Sequence, residues 1–143
     1  MPLTVSIIGD PQTGKHSFLG CLQDDTSSEL RVRDFRNNCT LSFKFVVGPS
    51  DEAQFCMAVF DLTNRTTYES LSSHIGERQW EGVYIIGTKL DDEDARVVSY
   101  EEAQSFSQGA GYLYTEVSSI TGKNVQMVLK MLKSRASKMI LNN

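Results

Sequence analysis

The sequence predicts an α/β fold: a mainly parallel sheet with one antiparallel hairpin strand and helices on both faces. Three observations predict it. Four short apolar runs, Leu3–Ile8, Phe55–Leu62, Val83–Ile86 and Tyr112–Val117, have strand length and too little alternation for one-sided burial. Segments of helical period lie between and after them, the order that gives crossover connections and a parallel sheet. Two alternating runs flanking Asn37-Asn38 supply the hairpin.

The elements follow in order. Leu3–Ile8 ends at Gly9, and Phe18, Leu19 and Leu22 then recur at helical spacing from Lys15 to Gln23. Leu30, Val32 and Phe35 alternate with Arg31, Arg33 and Arg36, as on a half-exposed edge strand. Leu41, Phe43 and Phe45 continue the pattern to Val46-Val47. After Phe55–Leu62 comes a polar helix over Thr67–Arg78, then the run closed by Gly87. Ser99 and Glu102 form a capping box for a helix that stops near Gly109. The last helix carries Val125, Val128, Leu129 and Leu132 on one face, with Lys130 and Lys133 outward.

Composition bounds the rest. The 143 residues make one domain, 1–143, and 40% hydrophobic with 22% charged residues excludes a disordered or low-complexity chain. A chain of this length buries roughly two thirds of its unfolded surface. A net charge of -4 gives no basic field for nucleic acid. Cys21, Cys39 and Cys56 are odd in number and widely spaced, as free thiols in a reducing compartment are. The Met-Pro start is no myristoylation signal and the ending Ile140–Asn143 is no prenylation box, so no lipid anchor is expected. With no long apolar segment, a soluble cytoplasmic protein is the expectation.

Three stretches carry chemistry. Gly9-Asp10-Pro11-Gln12-Thr13-Gly14-Lys15-His16 matches the phosphate-loop pattern G-x-x-x-x-G-K between a strand and a helix. Its amides and the helix start form an anion cradle, and Lys15 adds a point charge for phosphate. His16 stands where a hydroxyl would bind Mg2+, and imidazole suits that oxygen-seeking cation poorly. Ser17 points about 100° further round the helix and does not replace it.

The second stretch is Gly87-Thr88-Lys89-Leu90-Asp91, at the C-terminal edge of a buried strand where parallel sheets bind ligands. Asp91 can accept the paired N–H groups of guanine, which adenine does not offer, and Lys89 can lay its stem along the base. The third, Glu116 to Val125, brings Ser118 and Ser119 into a loop whose amides could reach a base carbonyl. Singly, each also reads as an ordinary polar turn.

Together and in this order the three stretches resemble the Ras superfamily of small GTPases. Val59-Phe60-Asp61-Leu62-Thr63-Asn64 with Tyr68-Glu69-Ser70-Leu71 is similar to the Rab and Ras versions of that strand and helix start. Ile86–Asp91 resembles the Rho-type guanine motif with Thr for Asn, and Ser118-Ser119-Ile120 takes the place of Ser-Ala-Lys. The resemblance implies a P-loop NTPase, Ras-like fold. It also implies guanine-nucleotide contacts at Gly9, Thr13, Gly14, Lys15, His16, Ser17, Thr88, Lys89, Asp91, Ser118 and Ser119.

Departures from the family concentrate before Phe55. Between Lys15 and Val59 the chain is short for both switch segments. Thr26 and Thr40 match the switch threonine by position only. Setting Gly48 as the glycine of D-x-x-G puts Phe45 where aspartate belongs, and only Glu52 or Gln54 follows within reach of a catalytic glutamine's place. Phosphoryl transfer rests on positioning, charge and magnesium, so these losses point to a pseudoGTPase without catalytic or metal residues. The expectation is weak or absent GTP or GDP binding with little need for Mg2+, and an adaptor role in a trafficking or cytoskeletal complex. A protein partner is expected over apolar surface near Phe43, Phe45 and Phe55. The alternatives are a slow GTPase using Glu52, Gln54 or a partner's groups, and a nucleotide kinase, which would need a lid the chain has no room for.

Overall fold

A computed structural model describes residues 2–22 and 29–141. The strands are β1 (Leu3–Ile8), β2 (Leu30–Asp34), β3 (Cys39–Val47), β4 (Phe55–Asp61), β5 (Gly82–Thr88) and β6 (Leu113–Glu116). Helices α1 (Lys15–Leu22), α2 (Arg65–Glu69), α3 (Leu71–Ile75), α4 (Tyr100–Ala110) and α5 (Val125–Leu141) connect or follow them. One sheet runs in the order β2-β3-β1-β4-β5-β6, with only β2 antiparallel to its neighbour. This is the mixed sheet expected of a Ras-like fold.

Strand alternation assigns the two faces. On β4, Phe55, Met57 and Val59 pack with Phe18 of α1 and Val128 and Leu132 of α5. Cys56, Ala58 and Phe60 face the other way, against Leu71 and Ile75 of α3 and Ala103 of α4. All seven β4 residues are buried, as a central strand covered on both faces requires. Cys56 lies so deep that desolvation pushes its thiol up to about 12.

Several elements differ from the sequence reading. The helix expected over Thr67–Arg78 is the pair α2 and α3. The Ser70 hydroxyl donates to the Thr66 carbonyl at 2.9 Å, a local bond that competes with continued helix, and Gly76 ends α3 at φ +69°. The Ser99 N-cap forms, with Ser99 Oγ accepting from Glu102 N at 3.1 Å, while the Glu102 carboxylate pairs with Arg65. The helix passes Gly109, however, and stops at Gly111, whose left-handed φ of +80° closes the last turn. Phe35 lies in the turn after β2, 83% exposed.

The expected apolar surface at Phe43, Phe45 and Phe55 does not exist. These residues are 0%, 8% and 0% exposed, because β3 is an interior strand and α1 and α5 cover its apolar face. β3 ends beside Ile7, where Gly48 N donates to Ile7 O at 2.8 Å, and residues 48–54 reach β4 through turns without a helix.

Candidate functional site

Strands β1, β4 and β5 end at one edge of the sheet, and the loops that follow them meet there. Gly9 opens the first loop at φ +146°, and a Cβ there would lie 2.2 Å from the Val59 carbonyl oxygen of β4. Only glycine lets the loop pass that close. Gln12 and Gly14 also have positive φ, +65° and +91°, so the chain curls before entering α1. Thr13 is buried and donates its hydroxyl to Asp10 O at 2.9 Å.

Lys15 folds back over this curl, donating to Gly9 O at 2.8 Å and Asp10 O at 2.6 Å. Partial burial lowers its pKa, against the raising effect of Asp10. Its cation is thus anchored at the loop's own rim. His16 and Ser17 follow on the exposed side of the first turn of α1.

Thr88, at the end of β5, joins the two halves of the site. Its hydroxyl lies 2.6 Å from Thr13 O and 3.0 Å from Phe60 O, bridging the phosphate-type loop and β4. Lys89 follows at φ +66°, and its ammonium donates to Asp61 Oδ2 at 2.6 Å. Asp61 is 4% exposed and also accepts from Thr63 N and Oγ1 at 2.8 and 2.6 Å. Burial pushes the Asp61 carboxyl up, but the bonds from Lys89 and Thr63 outweigh it and hold the group below its ordinary value.

Asp91 is exposed, with Oδ1 accepting from Ser118 Oγ at 2.7 Å. The Ser118 oxygen accepts from Thr121 N at 3.1 Å, so one hydroxyl orients the carboxylate and closes its own turn. Leu90 N donates to Val117 O at 3.1 Å, holding the loops together, and the Cys21 thiol of α1 donates to Ser119 O at 3.4 Å. Thr88, Lys89, Asp91, Ser118 and Ser119 therefore form one constellation beside Gly9–Ser17.

Other residues named from sequence lie elsewhere. Gln54 Oε1 accepts from Thr4 N at 2.8 Å, at the start of β1. Five residues of strand, about 16 Å, separate that point from Gly9. Glu52 is an exposed turn residue, and Thr40 is an exposed strand residue contacted by Arg33 at 3.4 Å. Thr26 lies outside the described residues.

Three groups were given no role in the sequence reading. The first is Asp61, whose signal was a carboxylate closing an otherwise apolar strand. The second is His74 of α3, with Nε2 2.7 Å from Asp10 Oδ1; that hydrogen bond is the main reason the Asp10 carboxyl lies below its ordinary value. The third is the nearly buried Glu116, which pairs with both terminal nitrogens of Arg96 and accepts from Tyr114 Oη at 2.6 Å. Spacing alone offered no signal for the last two.

The sequence model of the Ras family matches residues 46–138, more than half of the chain. The chain belongs to the Ras family. Members of the Ras family in general bind guanine nucleotides and interact with effector proteins. Human Ras-related protein Rab-27A is 29% identical over 129 residues, covering 86% of this chain and 54% of that protein. Ras-related protein Rab-25 of Oryctolagus cuniculus is 33% identical over 96 residues, covering 61% and 45%. Ras-related protein RABF2b of Arabidopsis thaliana is 32% identical over 88 residues, covering 58% and 44%. The chain spans about half the length of these curated relatives. Among the described residues no helix is long and apolar enough to cross a membrane.

Proposed function

We propose that this chain is an atypical Ras-like domain, a pseudoGTPase that binds guanine nucleotide weakly and without magnesium and works as an adaptor. The observation that carries this reading is Phe45. It takes the place of the family's D-x-x-G aspartate, yet it is an interior residue of β3, paired with Val5 and packed against Phe43. A side chain so placed cannot reach a metal at the sheet edge. His16, in the place of the magnesium-binding hydroxyl, offers imidazole to a cation that prefers oxygen. The donor set fits nucleotide and does not fit Mg2+, so no step is assigned to the metal.

What remains is suited to binding. The amides curled around Gly9–Gly14 and the Lys15 ammonium fit phosphate oxygens. Asp91, oriented by Ser118, fits the paired N–H groups of guanine, a match that discriminates strongly against adenine. Among the described residues none stands beside the first loop as a switch-type segment that would order around the γ-phosphate; on this reading GTP and GDP are bound nearly alike, and a ligand with equal affinity for two states shifts neither. A cytoplasmic trafficking or cytoskeletal complex is the proposed setting, by analogy with the Ras superfamily. Slow hydrolysis, the alternative, needs a partner's groups, because Gln54 is committed to the start of β1.

Calorimetric titration with GTP, GDP and ATP, each with Mg2+ and with chelator, tests the reading. The expected result is GTP and GDP affinities within about threefold of each other, unchanged by chelator and lost in Lys15→Ala. Magnesium-dependent preference for GTP over GDP, or hydrolysis abolished by Lys15→Ala, would overturn it.

A further inference from the structure

We propose that the tip of the β2–β3 hairpin is a docking site for an acidic protein segment that presents an apolar socket to Phe35. This deepens the adaptor reading and moves the partner surface away from the buried Phe43, Phe45 and Phe55. Phe35 is 83% exposed at the turn of an antiparallel pair, with the Arg33 guanidinium 5.6 Å from its ring centre. Arg33 is itself held by Asn38 Oδ1 at 2.5 Å, so the ring and its cation are presented together. An exposed aromatic beside an arginine held in place has the make-up of an interface hot spot.

Charge selects the partner's chemistry. The chain is acidic overall, yet residues 30–38 contain Arg31, Arg33 and Arg36 against one carboxylate, Asp34. Asp34 is buried and occupied, accepting from Ser137 Oγ at 2.5 Å and Asn37 Nδ2 at 2.7 Å. Hydrogen bonds from Ser137 and then Asn37 hold its carboxyl below the ordinary value, so it stays ionised and does not compete by turning outward. Behind the tip, a groove of about 420 Å³ is flanked by Arg36, Lys133 and Lys138. Helix α5 contributes only cations to this side, since residues 125–141 contain no Asp or Glu.

Three arginines favour carboxylates over a diffuse anionic surface, because the planar fork pairs with carboxylate through two bonds. A single apolar side chain is too little for stable membrane insertion. An acidic segment with one pocket for Phe35 satisfies both features.

The test is fluorescence anisotropy with a labelled synthetic peptide of Glu and Asp residues around a Leu-Trp-Leu centre. Its Lys-for-acid counterpart and phosphatidylserine vesicles are the comparison arms. Saturable, salt-sensitive binding of the acidic peptide is expected, weakened at least about tenfold in Phe35→Ser and in Arg33→Glu/Arg36→Glu. Lys123→Glu, in the turn after β6 at the opposite edge of the sheet from the hairpin tip, should leave it unchanged. Phe35 has no packing to lose, so Phe35→Ser should melt with the parent. Equal binding of the basic peptide, tighter binding to vesicles, indifference to the variants or no saturable binding would each overturn the site. Guanine-nucleotide calorimetry on Phe35→Ser separates the proposals: it should match the parent, and it stands or falls without the peptide result.

Discussion

The two ends of the same loop edge contrast sharply. At the base end, Thr88, Lys89, Asp91 and Ser118 are tied into β4, β5, the first loop and the turn after β6 by bonds of 2.6–3.0 Å. At the other end, β3 runs out at Val47 and the chain turns back through residues 48–54 with no helix. The difference shows which parts of the fold bear load. Thr88 pins a loop to a central strand, and Glu116 with Arg96 anchors the strand that leads into Ser118. Removing those groups would leave buried polar atoms unpaired.

The largest expected effect pairs two glycines, one at each end. Gly9→Ala puts a methyl group 2.2 Å from the Val59 carbonyl oxygen, against backbone that cannot yield. We expect destabilisation of more than about 4 kcal/mol, read by urea unfolding, with loss of nucleotide binding. Gly48 also has positive φ, +112°, but open space around its Cβ position. Gly48→Ala should cost only about 1–2 kcal/mol of backbone strain. Equal costs would break the contrast.

Phe45→Asp is the direct attempt to restore the missing end. It replaces a ring that is 8% exposed with a carboxylate in the core beside Phe43. The lost packing alone predicts about 3–5 kcal/mol. Thermal unfolding and the magnesium titration should show a less stable chain with no gain in metal dependence. A folded variant with magnesium-dependent preference for GTP would sink the view that this end is closed.

How much was legible in the sequence follows the same division. The base end was readable because its residues lie in short runs, Gly87–Asp91 and Glu116–Val125, at the ends of apolar strands. The hairpin, the parallel strands and the Ser99 N-cap of α4 were readable for the same local reason. The pairs Asp61–Lys89, Asp10–His74 and Arg96–Glu116 join residues 28, 64 and 20 positions apart, so periodicity has no access to them. Phe43 and Phe45 were misplaced because alternation tells which residues share a face, not what covers it. The cover is α1 together with α5, contributed by residues far from β3 in sequence. Ser70 interrupted a helix through a side-chain bond that propensity alone does not weigh.

Ion pairs sharpen the contrast at a smaller scale. Arg96–Glu116 has side chains 23% and 8% exposed, and Arg96→Ala leaves the Glu116 carboxylate with Tyr114 as its remaining side-chain donor. Breaking such a buried pair costs about 3 kcal/mol. Arg65–Glu102 is similar chemistry at 45% and 39% exposure, and Arg65→Ala should change stability by less than about 1 kcal/mol. Parallel urea titrations decide whether the base end depends on its buried pair.

The smallest effect is acid sensitivity, and its sign is fixed. Asp10 and Asp61 both lie below the ordinary 3.8 in the folded chain. Below 3.8 the unfolded state binds more protons than the native state, so stability falls as pH falls through the folded values. Above it the contribution is complete and flat. Asp10 is more open to water, with its side chain 23% exposed against 6% for Asp61, so its share is more strongly screened. Unfolding free energies measured from about pH 5 to pH 2.5 should therefore lose more slope in Asp61→Asn than in Asp10→Asn. A larger change in Asp10→Asn would mean that the His74 contact, and not the base end, bears the acid-sensitive load of this edge.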